Sequence, residues 1–167
     1  MTLDELNALP QQAAEDRFYQ CLAVERVAKK MASLRPFSSQ QALLEQMQLL
    51  WDQADEAENL AAFSAHPLIG DITTLLKKYH NTKALCGNEQ SAVNEASLKT
   101  LKALSQYNKD YFAKFGFIFI VFATGKTANE MLDLLCKRLD NTRLQEIQNA
   151  HDEQTQITLL RLRNISL

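Results

Sequence analysis

The sequence predicts an all-α protein: a single compact helical domain, residues 1–167, of about seven to nine helices. Three observations carry that prediction. Apolar residues recur close to every 3.6 positions in segment after segment, which is the spacing of one helix face. Helix-start signatures of the form Thr-x-x-Glu stand at Thr2-Leu3-Asp4-Glu5 and Thr127-Ala128-Asn129-Glu130, where hydroxyl and carboxylate can satisfy two orphan backbone N–H groups reciprocally. Finally, one continuous apolar run, residues 117–123, suits a buried extended segment or the middle of the core, and one strand cannot make a sheet.

The elements follow in order. The first capping box opens a short helix that must end before Pro10. A longer helix is expected between residues 13 and 34, where Phe18, Leu22, Val24, Val27, Ala28 and Met31 hold a helical period until Arg35-Pro36-Phe37 interrupts it. Ser38-Ser39 restarts the pattern, and Leu43, Leu44, Met47, Leu50, Trp51 and Ala54 line the next inward face. Leu60 and Phe63 lead to His66-Pro67, and a helix from about 69 to 79 precedes a polar loop, 80–88. Asn88 can cap the following helix, whose inward stripe of Glu89, Val93, Ala96, Leu101 and Leu104 begins with a carboxylate. Residues 112–122 hold five of the eight Phe. Thr127 opens a helix through Met131, Leu134, Leu135 and Leu139, and Asp140 or Asn141 caps a last one running to about Asn164.

Composition narrows the function classes. Eighteen Lys plus Arg against twenty Asp plus Glu leave a net charge of -2, with no basic field for a phosphate backbone or an anionic lipid surface, so neither nucleic acid nor membrane is an expected partner. No apolar run approaches the roughly 20 residues of a spanning helix, and residues 1–10 lack the apolar stretch of an export signal. Cys21, Cys86 and Cys136 are odd in number and widely spaced, so a reduced, cytoplasmic protein without disulfides is expected. His66, His80 and His151 are scattered with no ligand spacing, and no metal site is predicted. Gly125-Lys126-Thr127 imitates the tail of a phosphate loop, but Ile120 stands where its first Gly belongs; a helix start is the better reading.

Three side chains stand out chemically. His66 closes a short helix, where the dipole favours its protonated form and could tune it toward neutral pH; from spacing alone a structural or surface His is a better reading than a catalytic one. Glu89 begins an inward stripe, as an ionised anchor or as a first-turn acid bending to solvent. Arg161 follows Ile157 by four residues, which places it inward, facing a bound anion or paired with Glu89. The Phe cluster between Phe112 and Phe122 reads as core in preference to a cofactor box.

The blocks Arg35-Pro36-Phe37, His66-Pro67-Leu68-Ile69-Gly70, Glu89-Gln90, Lys114-Phe115-Gly116-Phe117-Ile118-Phe119-Ile120-Val121 and Leu160-Arg161-Leu162 come in the order and at about the distances seen in OHCU decarboxylases. The resemblance spans nearly the whole chain. OHCU is 2-oxo-4-hydroxy-4-carboxy-5-ureidoimidazoline, and the family converts it to S-allantoin and carbon dioxide in urate breakdown. The resemblance implies that His66 is catalytic and that Pro67, Cys86, Gly87, Asn88, Glu89, Gln90, Phe117, Ile118, Phe119, Ile120, Val121 and Arg161 surround the substrate. It also implies a homodimer. Cys86 stands where the family commonly has Ser, Ile118 where it has Pro, and Asn94 near a usual Gly.

Such chemistry needs no cofactor, because the imine in the substrate ring accepts the electron pair that departing carbon dioxide leaves behind. The protein must orient the breaking bond, stabilise charge on ring nitrogen and oxygen, and protonate one face. Backbone near Phe119 and the Gln90 amide suit the ring edges, while Arg161 is expected on the ureido or ring carbonyls, since gripping the vanishing carboxylate charge would favour the ground state. Two other readings compete: a non-enzymatic helical module whose Phe-rich segment docks a protein, and a hydrolase of the ureido group.

Overall fold

The computed structural model describes residues 1–66 and 90–165. Eight helices lie within them: α1 Leu3–Ala8, α2 Gln11–Cys21, α3 Glu25–Ser33, α4 Gln40–Trp51, α5 Glu56–Ser64, α6 Gln90–Phe115, α7 Ala128–Leu139 and α8 Arg143–Ile165. The described residues contain no strand, in agreement with the all-α prediction. None of these helices is long and apolar enough to cross a membrane. The expected helix over 69–79, the loop 80–88 and the Asn88 cap lie outside the described residues. Backbone contacts divide the chain into two compact units, Met1–His66 with Ile147–Leu167, and Pro67–Glu146.

In the first unit, both halves of the Thr2–Glu5 capping box form. Ser39 caps α4 by accepting from the Ala42 N–H, and Asp55 with Glu58 makes a further capping box that opens α5. The single helix expected over 13–34 is two helices. Leu22 and Val24 are extended, with φ of -143° and -128°, and the Val24 N–H turns back onto the Leu22 carbonyl at 2.7 Å. Cys21, Leu22 and Val24 are all buried, so tertiary packing breaks a helix whose local pattern is uninterrupted; α2 and α3 then pack against each other. The core gathers Leu6, Phe18, Met31, Leu43, Met47, Phe63 and Leu162, none more than 1% exposed.

Arg35 ties α1 into this unit. Its guanidinium donates to the carbonyls of Leu6, Asn7 and Leu9 at 2.6–3.2 Å and to that of Ala32 at 2.9 Å. The Asn7 amide meanwhile exchanges two 2.9 Å hydrogen bonds with the Phe37 backbone. A cation on the last carbonyls of a six-residue helix satisfies groups that the helix cannot satisfy itself. We expect Arg35→Ala to cost about 2 to 3 kcal/mol, the scale of losing charge-assisted hydrogen bonds at a part-buried site, read as a lower urea midpoint at unchanged slope.

In the second unit α6 ends at Gly116, whose φ of +79° lets the chain leave the helix while its N–H closes onto the Phe112 carbonyl at 2.8 Å. The segment 117–123 is neither helix nor strand, and Phe117, Phe119 and Ile120 are buried along it. Tyr111 packs on Phe115, Phe117 and Phe119 with ring centroids 4.6, 5.9 and 5.4 Å away, so these three of the cluster are core, whereas Phe112 is 48% exposed and Phe122 partly exposed. Gly125 takes a positive φ in the turn before Thr127, which caps α7 through a complete capping box; the phosphate-loop imitation is a helix start. Asp140 and Asn141 do not cap α8. Thr142 does, exchanging hydrogen bonds with Gln145 at 2.9 and 3.3 Å, because Asn141 is drawn away to the Glu146 carboxylate at 2.7 Å.

Candidate active site

His66 follows the C-terminal turn of α5, its N–H on the Phe63 carbonyl at 3.2 Å. The ring is half-buried and its Nε2 lies 2.6 Å from Gln154 Oε1. Gln154 in turn donates through its own Nε2 to Thr158 Oγ1 at 3.1 Å. Gln154 and Thr158 are each 1% exposed. On α8 they share the i, i+4 line that carries Ala150 and Leu162, so two polar side chains occupy an otherwise apolar stripe.

The electrostatics of His66 differ from the expectation of a dipole-assisted imidazolium. Burial disfavours the charged ring and is the largest influence; the Gln154 hydrogen bond opposes it, and the Arg161 charge adds to it. The net shift is downward from 6.5, so the ring is neutral at pH 7. Desolvation and a nearby cation set the direction of the shift.

Arg161 is exposed rather than inward, a correction to the reading from its spacing after Ile157. The buried line of α8 runs through Gln154, Thr158 and Leu162, and Arg161 lies beside it. Its guanidinium donates to the Cys21 carbonyl at 3.1 Å. Its charge reaches both His66 and the Cys21 thiol, so the structure does bring His66 and Arg161 into one electrostatic neighbourhood. Burial pushes the Cys21 thiol up to about 11, leaving it unreactive at neutral pH.

The residues 117–121 belong to the second unit. Phe117, Phe119 and Ile120 are buried, whereas Ile118 and Val121 are partly exposed. Arg138 Nη1 donates to the Ile120 carbonyl at 2.6 Å, and its guanidinium lies 4.7 Å from the Phe119 ring centroid. The same Arg138 pairs through Nε with Glu146 at 2.7 Å. Glu146 is fully buried and also accepts from the Tyr111 hydroxyl and from Asn141. Four side chains from α6, α7, α8 and the turn before α8 thus fix this backbone segment. Pro67, Cys86, Gly87, Asn88 and Glu89 lie outside the described residues; Gln90 begins α6.

Sequence reading missed Gln154, Thr158, Arg138 and Glu146. All four are polar residues on helices, ordinarily solvated. The one signal for the first pair was their position on the line of Ala150 and Leu162.

Nearly the whole chain is similar to proteins of one family. The family model described as OHCU decarboxylase matches residues 7–163. The chain is 34% identical over 148 residues to the uric acid degradation bifunctional protein TTL of Arabidopsis thaliana, covering 89% of this chain but 46% of that protein. It therefore spans less than half the length of that relative. It is 28% identical over 172 residues to a 2-oxo-4-hydroxy-4-carboxy-5-ureidoimidazoline decarboxylase of Halalkalicoccus jeotgali, covering 100% of this chain and 93% of that one. The crystal structure of an OHCU decarboxylase in the presence of (S)-allantoin superposes with a TM-score of 0.72 at 31% identity, over 90% of this chain and 97% of that chain.

Proposed function

The chain belongs to the OHCU decarboxylase family, and from that membership we propose that it is a cofactor-independent carboxy-lyase converting OHCU to S-allantoin and carbon dioxide in urate degradation. The observation that carries the reading is the family match over residues 7–163, which also supports treating 1–167 as one functional domain. Relatives of nearly this length with the same activity in their names, such as the Halalkalicoccus protein, support it further.

In this reading His66 is the acid/base residue. The C4–carboxylate bond breaks, carbon dioxide leaves, the electron pair forms a C4–C5 double bond, and the displaced imine pair goes to ring nitrogen, which gains a proton from solvent. His66 takes the C4 hydroxyl proton as a base, C4 becomes a carbonyl, and His66 returns the proton as an acid to one face of the ureido-bearing C5, setting the S configuration. A neutral imidazole at pH 7 suits the first of these roles. The substrate-contacting set is that of the resemblance: Pro67, residues 86–90, residues 117–121 and Arg161, with Arg161 on ureido or ring carbonyls. No metal or organic cofactor enters, since the substrate carries the electron sink. The working form is a cytoplasmic homodimer, with neither nucleic acid nor membrane as partner.

The test generates OHCU in situ from urate with urate oxidase and hydroxyisourate hydrolase, then follows its absorbance and the circular dichroism of the product. Accelerated loss of OHCU with S-allantoin formed supports the reading. Racemic product at the spontaneous rate leaves the protein-docking module, and released ammonia or urea points to ureido hydrolysis.

A pH profile probes His66 directly. The folded ring titrates below 6.5, so its base form persists through neutrality. We expect kcat/KM to stay level there and to fall only as pH drops below that value. An acid limb centred above 6.5 would remove His66 from the role.

A further inference from the structure

Proton transfer by a histidine requires a defined tautomer, and a neutral imidazole has two of similar energy. In this chain the choice is made by a side chain that the family resemblance did not single out. Gln154 is buried on α8, with its Oε1 2.6 Å from His66 Nε2 and its Nε2 3.1 Å from Thr158 Oγ1. A glutamine amide has an acceptor at one end and a donor at the other. With the donor end occupied by Thr158, the acceptor end faces the ring. An acceptor at that distance requires hydrogen on Nε2, which leaves the lone pair on Nδ1.

Packing alone does not explain the pair. Residues 154 and 158 lie on the line of Ala150 and Leu162, where apolar side chains would avoid the cost of burying amide and hydroxyl groups, about 1 to 3 kcal/mol for each one left unsatisfied. Among the described residues every buried side-chain nitrogen and oxygen has a partner, and His66 is the partner that Gln154 Oε1 has. The orienting group is also uncharged. A carboxylate in its place would stabilise the imidazolium, whereas the amide opposes only part of the downward shift from burial and Arg161.

We propose that Gln154, held in turn by Thr158, is the positioning residue that locks His66 as the Nε2–H tautomer and makes Nδ1 the atom that exchanges protons with substrate. The catalytic half of this inference rests on the proposed decarboxylase reading; the tautomer does not.

The experiment therefore has two readouts. Long-range proton–nitrogen correlation spectra of the uniformly 15N-labelled full chain at pH 8 report which His66 nitrogen carries hydrogen. Steady-state kinetics with OHCU generated in situ report turnover. In the wild-type chain the spectrum should show Nε2 protonated and Nδ1 bare. In Gln154→Leu the two tautomers should mix, and kcat should fall about tenfold or more with KM little changed, as expected when an orienting partner of a histidine is lost. Gln154→Glu keeps the acceptor: it should hold the Nε2–H form and shift the acid limb of kcat/KM to higher pH, and it serves where the Leu variant fails to fold. A wild-type spectrum with hydrogen on Nδ1, or a folded Gln154→Leu with unchanged tautomer or unchanged kcat, overturns the proposal. A wild-type chain that does not turn over OHCU defeats the decarboxylase reading and with it the catalytic half, while the spectrum still decides the tautomer.

Discussion

His66→Ala is expected to lower kcat for OHCU at least about a hundredfold, or about 2.7 kcal/mol of transition-state stabilisation, the lower end of what an acid/base side chain contributes. The loss should fall on kcat more than on KM, because the proton moves only as the reaction proceeds. The product should also lose its handedness in proportion, since the slow background reaction protonates either face. His66→Asn separates chemistry from packing: its amide can still hydrogen-bond Gln154 but cannot carry a proton at neutral pH. If both variants fold with wild-type circular dichroism and keep full turnover, His66 is not the acid/base residue.

The second large effect concerns stability. Arg138→Met should cost about 3 to 5 kcal/mol, the range for removing one member of a buried ion pair. Glu146 is 0% exposed, so losing Arg138 takes a charged donor away from a buried carboxylate that also accepts from Tyr111 and Asn141. The Ile120 carbonyl would lose its donor at the same time. Arg138→Lys should recover only part of the loss, because an ammonium cannot reproduce a planar fork that reaches Glu146 and Ile120 together. Replacing both partners, Arg138→Met with Glu146→Leu, should be milder than Arg138→Met alone. Urea unfolding across this double-mutant cycle measures it; additive losses would mean that the two side chains do not depend on each other.

Much of the fold was legible because helices announce themselves locally. Thr2–Glu5 and Thr127–Glu130 act within four residues, and both capping boxes formed. The split between α2 and α3 was not legible. Leu22 and Val24 continue the apolar period through a break enforced by burial against other segments. The cap of α8 was misplaced for a similar reason: Asn141 has the right chemistry, but a buried carboxylate five residues later claims it. At the site, the role proposed for His66 came from the resemblance and not from its spacing, and its downward-shifted titration depends on burial and on Arg161, 95 positions away in sequence. Gln154 and Thr158 resemble any solvated helix residues until the facing element is known. Arg161 shows the limit of spacing: one helical position separates the buried line from the exposed edge.

The Arg35-Pro36-Phe37 block has a diagnostic consequence. It was one of the blocks on which the resemblance stood, yet Arg35 and the Phe37 backbone spend their hydrogen bonds on α1 and on Asn7. It is a scaffold signature. In the proposed mechanism His66 carries the chemistry instead, and among the described residues no hydrogen bond of the first block involves it. A chain that retains the Arg-Pro-Phe block and carries another residue in place of His66 should therefore keep the architecture and be catalytically silent, so recognition of this fold and attribution of its chemistry call for separate criteria.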